Sequence, residues 1–116
     1  MFECESEARL PVHIWIEAQL RPLNDRGVFY YINQRGEQNS GIILLKLNGL
    51  NGRCRVLVQQ RNFEGQLGWM DAIGKELVEE VQADQYIQRA IMRDPDLWAI
   101  EIEDREMKNP FEGDMI

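Results

Sequence analysis

The chain has 116 residues, of which 44% are hydrophobic and 28% charged, and a formal net charge of -7. That length suits one domain with one core, and no run approaches the roughly 20 apolar residues that cross a bilayer. The start, Met1-Phe2-Glu3-Cys4-Glu5-Ser6-Glu7, lacks the basic-then-apolar order of a secretion signal, so a cytoplasmic protein without membrane contact is expected.

Residues 1–9 carry no pattern and read as disordered. From Leu10 to Leu20 two periods compete. Leu10, Val12, Ile14, Ile16, Ala18 and Leu20 alternate as in a strand, whereas Pro11 near the start, Pro22 as a stop and the helix formers Glu17 to Arg21 suit a short helix, which is favoured. After the turn Asn24 to Gly27, the segment 28–33 has the aromatic and β-branched make-up of a strand. Ile42 to Leu47 is nearly continuous in apolar residues, which implies a central strand buried on both faces. Asn48-Gly49-Leu50-Asn51-Gly52 tolerates positive φ and turns the chain into a strand over 53–59, making a hairpin. The stretch 62–68 reads as a loop, and Trp69-Met70 to Gly74 as a short strand or turn.

Ala83, Tyr86, Ile87, Ala90 and Ile91 fall at i, i+3, i+4, i+7 and i+8, a single apolar stripe that predicts a helix over 80–93. Pro95 disfavours helical geometry at Asp94 and ends it. A last strand, 97–104, follows, with Trp98, Ile100 and Ile102 on one face and Leu97, Ala99, Glu101 and Glu103 on the other. Residues 106–116 have no period and read as a mobile acidic tail. The expected fold is a single α+β domain over 10–105. Its antiparallel sheet of four to five strands packs against one or two helices, with Trp98, Ile100, Ile102, Ile87 and Ile91 at the centre.

The block Asp94-Pro95-Asp96-Leu97-Trp98 through Glu101-Ile102-Glu103-Asp104-Arg105, with looser matches at Ile14-Trp15, Arg35-Gly36, Gly41 and Leu45-Lys46, resembles an uncharacterised bacterial domain-of-unknown-function family. The resemblance implies a small intracellular bacterial protein. It supplies no reaction, cofactor or catalytic residue.

Charge is unevenly placed: residues 1–60 hold 7 basic and 6 acidic residues, residues 61–116 hold 6 and 14. An acidic C-terminal half repels phosphate backbones and suits a basic partner. Pro95-Asp96 with Glu106-Met107-Lys108 imitates the spacing of metal-dependent nucleases, but a strand between them would hold the acids roughly 30 Å apart. The plainer reading has Asp96 bonding turn amides. Glu101 and Glu103 share a strand face and could hold a divalent cation if a third ligand joined them; pairing with Arg53, Arg55 or Arg105 across strands is the favoured alternative.

His13 is the one histidine, and neither Cys4 nor Cys54 suits it as a nucleophile. The two cysteines are too few and too distant for a disulfide framework or a zinc site. Arg26 to Tyr31 faintly resembles the strand of RNA-recognition modules, but a second aromatic motif is missing, and packing of Phe29 and one of Tyr30 or Tyr31 into the core is favoured. No catalytic set, metal site or cofactor is assigned. The leading expectation is a non-enzymatic interaction or regulatory module. Its candidate binding residues are Glu101, Glu103, Asp104, Arg53 and Arg55, and its partner is a basic protein or a second copy joined through a sheet edge, with no nucleic acid. The alternative is a small divalent-metal-dependent hydrolase using the acids of the last strand and His13.

Overall fold

The computed structural model describes residues 11–116; the expected disorder of 1–9, Leu10 and Cys4 lie outside the described residues. Helix α1, Val12–Asp25, settles the ambiguous period. Ile16, Leu20 and Leu23 are buried at helical spacing, whereas Ile14 and Ala18, which completed the alternating pattern, are exposed. Pro22 lies inside this helix instead of ending it. Proline removes the bond to the carbonyl four residues back, and here both Ala18 and Pro22 are on the exposed side, where water can take that carbonyl.

The strands are β1 Phe29–Gln34, β2 Ile43–Asn48, β3 Arg53–Arg61, β4 Leu67–Asp71, β5 Val78–Glu79, β6 Trp98–Glu103 and β7 Asp114–Met115, with helix α2, Glu80–Arg93, between β5 and β6. They form one sheet in the order β1-β6-β2-β3-β4-β7, with β5 added to β3. This corrects the expected antiparallel sheet of four to five strands: β6 runs parallel to β2 and β7 parallel to β4. The cause is the helix. Strand β5 is antiparallel to β3 and therefore points along β2, and a crossover helix delivers the next strand in the same direction. The stretch 62–68 is the turn of the β3–β4 hairpin together with the start of β4, with the Asn62 side chain accepting the Glu64 and Gln66 amides.

The helices lie on opposite faces, so there are two cores and not the single centre expected. Trp98, Ile100 and Ile102 pack with Ile16, Leu20 and Leu23 of α1 and with Ile43, Leu45 and Leu47 of β2. Ile87, together with Ala83 and Ala90 of α2, packs with Leu44, Cys54, Val56, Leu97 and Ala99, and Ile91 lies against this second cluster. Alternation along β2 and β6 feeds both cores, which is why β2 is buried along its whole length.

Trp98 fixes the start of β6. Its indole Nε1 donates to the Glu37 carbonyl at 2.8 Å, and the Arg35 guanidinium lies 5.2 Å over the ring. Gly36 and Gly41 are pressed against the same ring and the Asp96 carbonyl. The turn before it is closed by Asp94, not by Asp96 as expected. The Asp94 carboxylate accepts the Asp96 amide at 3.0 Å, because the residue preceding the proline is the one whose side chain reaches over the turn.

Residues 106–116, expected as a mobile tail, are seated on the domain. Phe111 is buried between Trp15 and Trp69, with ring centroids 5.4 and 5.6 Å away. Trp69 Nε1 donates to the Glu112 carbonyl, and β7 pairs with β4. Such pairing follows from contacts distant in sequence, which leave no period in the segment itself. Replacing Phe111 with leucine should lower stability by about 1 kcal/mol, the loss of aromatic packing at nearly conserved volume. An unchanged denaturation midpoint would mean that this segment is no part of the folded unit.

Candidate functional site

The sheet face under the N-terminal part of α2 gathers the most charge. Lys46, the one cation in the buried run of β2, is 3% exposed. Its Nζ donates to Asp84 at 2.7 Å and Glu80 at 3.0 Å, and lies 3.5 Å from Glu101. Glu80 and Asp84 are four residues apart, so one face of α2 presents both. The Asn48 side-chain amide donates to Glu80 and Glu101 at 3.2 and 3.0 Å, and its carbonyl oxygen accepts the Leu50 amide. Burial by itself would lower the Lys46 pKa, but the bonds to Asp84 and Glu80 and the Glu101 charge outweigh it and raise the pKa. A lysine held so firmly as ammonium cannot serve as a neutral base or amine nucleophile. The cluster therefore ties α2 to β2 and β6, and leaves three carboxylates facing one cation.

The residues singled out in sequence are only partly brought together. Glu101 is not directed outward as the interaction reading required; it is half-buried and bonded to Asn48 beside Lys46. Glu103 is the next residue on that face, and among the described residues it has no ion-pair partner. Asp104 caps the following turn, its oxygens accepting the Glu106 and Lys108 amides. Arg53 and Arg55 do not meet these acids. Strand β2 lies between β3 and β6, and the arginines share the opposite face with Leu47. Arg55 is bidentate on Asp71 at 2.8 and 3.2 Å; these bonds raise its pKa. Sequence reasoning missed Lys46, Asn48, Glu80 and Asp84 as a set. The available signal was a lysine inside a strand buried on both faces, which requires carboxylates opposite it.

Strand β1 corrects a second expectation. Phe29 is 68% exposed and Tyr31 47% exposed, while Tyr30 and Ile32 pack against the α1-side core. In the antiparallel register Phe29 faces Glu103 and Tyr31 faces Glu101, so aromatics and acids line one face in two adjacent rows. Phe29 was expected in the core, but α2 packs over β2 and β3 and leaves this end of the face bare. Strand β1 ends the sheet order, and among the described residues nothing pairs with its outer side.

The remaining candidates stay apart. His13 lies on α1, its ring nitrogen 3.3 Å from the Gln38 carbonyl, across the sheet from Cys54 in the α2-side core. Among the described residues no group of three or more His, Cys, Asp or Glu side chains is arranged to hold a metal ion. Burial pushes the Cys54 thiol up to about 11. The unfolded chain therefore releases this proton first as pH rises past the ordinary thiol value of 9.0, so Cys54 lowers stability between there and about 11 and contributes no pH dependence below. At pH 8 in a Cys4→Ser background, native Cys54 should react with an aromatic disulfide reagent at under about a hundredth of the urea-unfolded rate. Equal rates would contradict a protonated, enclosed thiol.

Comparison with known proteins matches the family model "Protein of unknown function (DUF1491)" over residues 10–112. The structure is similar to the crystal structure of a DUF1491 family protein from Caulobacter crescentus CB15, with TM-score 0.82 and 28% identity over 92% of this chain and 99% of that one. It is likewise similar to an NMR structure of a DUF1491 family protein from the same organism, with TM-score 0.78, 28% identity and coverage of 93% and 97%. A solution structure of an A. tumefaciens protein shares the fold at TM-score 0.63 and 23% identity, covering 82% and 86%. No curated protein matches. The match spans both helices, all of β1 to β6 and the docked Phe111, and the chain belongs to the DUF1491 family.

Proposed function

We propose that this chain is a non-catalytic cytoplasmic interaction module whose binding element is the open edge and bare face of β1. The observation that carries the reading is the sequence of that edge, Phe29-Tyr30-Tyr31-Ile32-Asn33-Gln34, which holds no charge, proline or glycine while exposing Phe29 and Tyr31. Proteins guard unpaired edges with charges, prolines or short strands; an edge of six residues without them suits strand addition by a partner. The polar groups that could do chemistry support the same reading by being occupied: Lys46 is held charged, Cys54 is enclosed, and Arg55 is bound to Asp71. The block from Asp94 to Arg105 then acts as the family's structural signature, since Trp98 anchors the strand on which β1 rests.

The test is retention of partners from a bacterial lysate by the native protein and by a Phe29→Ser/Tyr31→Ser variant, whose exposed positions leave folding intact. Partners held by the native protein and lost by the variant are expected. Identical retention would overturn the reading.

A further inference from the structure

The bare face differs from a plain sticky edge in having a second, acidic row behind the aromatic one. Behind Phe29 stands Glu103, and behind Tyr31 stands Glu101, with Glu80 and Asp84 reaching the same neighbourhood from α2. The local balance is negative: Lys46 is the one cation bonded to Glu80, Asp84 and Glu101, and Glu103 is unpaired among the described residues. A strand added outside β1 would lie about 4.8 Å from it and roughly 10 Å from β6. Every second side chain of that strand would project onto this face. At that distance a long cationic side chain can lie across an aromatic ring with its stem and bring its charge to the carboxylate row. Short or acidic side chains cannot use both rows.

We infer, resting on the interaction reading above, that the partner of β1 is an extended polypeptide segment carrying arginine or lysine at alternate positions, its cations stacked on Phe29 and Tyr31 and the one beside Phe29 directed at the unpaired Glu103. A second copy of this chain fits less well. Strand β1 has no basic residue, so self-pairing would bury the aromatics and supply nothing to the acids.

The probe is a short peptide alternating arginine and threonine, beside two controls in which glutamate or serine replaces arginine. Binding is followed by anisotropy, and protection of the Phe29 to Gln34 amides by NMR. The arginine peptide should bind, protect those amides and weaken as salt rises. It should bind at least tenfold more weakly to Glu103→Lys and to Phe29→Ser/Tyr31→Ser, with unchanged melting temperatures as the control for folding. Binding of the serine peptide with equal affinity, or a dimer joined at β1 that excludes the arginine peptide, would overturn the basic-partner inference while leaving the interaction reading intact. If no peptide and no second copy ever protects the β1 amides, both fall.

Discussion

Replacing Lys46 with methionine should destabilise the protein by about 2–3 kcal/mol. Removing one partner of a buried ion pair costs about 3–5 kcal/mol because the other charge is stranded. Here the cost is lower, since Glu80 and Asp84 are 43% and 55% exposed and can turn to water, whereas Glu101, at 16%, cannot. Adding Glu101→Gln should therefore return roughly 1 kcal/mol or more to the Lys46→Met protein while costing the native one, a coupling that a double-mutant cycle in urea measures directly. Additive effects would mean that Lys46 and Glu101 do not sense each other. The raised Lys46 pKa also fixes the pH behaviour. Its contribution is complete below the unfolded lysine value of about 10.4 and is lost as pH rises beyond it. The gap between native and Lys46→Met proteins should thus be constant through neutral pH and close only in strong alkali.

Alanine at Gly36 or Gly41 should cost about 3 kcal/mol, or prevent folding. At either position an added Cβ would come within 2.7 Å of the Trp98 ring and closer still to the Asp96 carbonyl. The ring is 1% exposed and held by its bond to Glu37, and the carbonyl is fixed by the Glu37 amide. Neither neighbour can yield, so overpacking at the upper end of its usual cost is expected. Gly27, around which nothing lies within 4 Å, is the comparison. Alanine there should cost only the strain of its positive φ, about 1 kcal/mol. Urea midpoints for the three variants check the ordering, and a Gly36→Ala protein as stable as Gly27→Ala would refute the packing argument.

These two sites mark how far the chain could be read without its structure. Helix α2 was legible because five apolar residues hold one stripe from Ala83 to Ile91 and a proline follows, and β2 because an apolar run of that length has few other uses. The burial of Trp98 was legible too, but not which face received it. Phe29 was misread for a related reason: an aromatic in a strand is normally covered, and whether a helix extends over it depends on where α2 crosses the sheet. The candidate site was the least legible part. Glu101 and Glu103 were picked out by local acidity, yet Glu101 found its partners in Lys46 and Asn48 of β2, 55 and 53 positions earlier, and among the described residues Glu103 found no ion pair.

Local order, then, was set by the sequence itself: the period of side chains, the prolines that end segments and the glycines that admit close approach act within a few residues. Strand order, the parallel entry of β6, the split into two cores and the docking of Phe111 were decided only in three dimensions. They depend on which edge remained open when α2 brought β6 back beside β2, a competition among distant surfaces that leaves no mark at any single position. The same competition left β1 outermost, with its aromatics bare beside a row of acids.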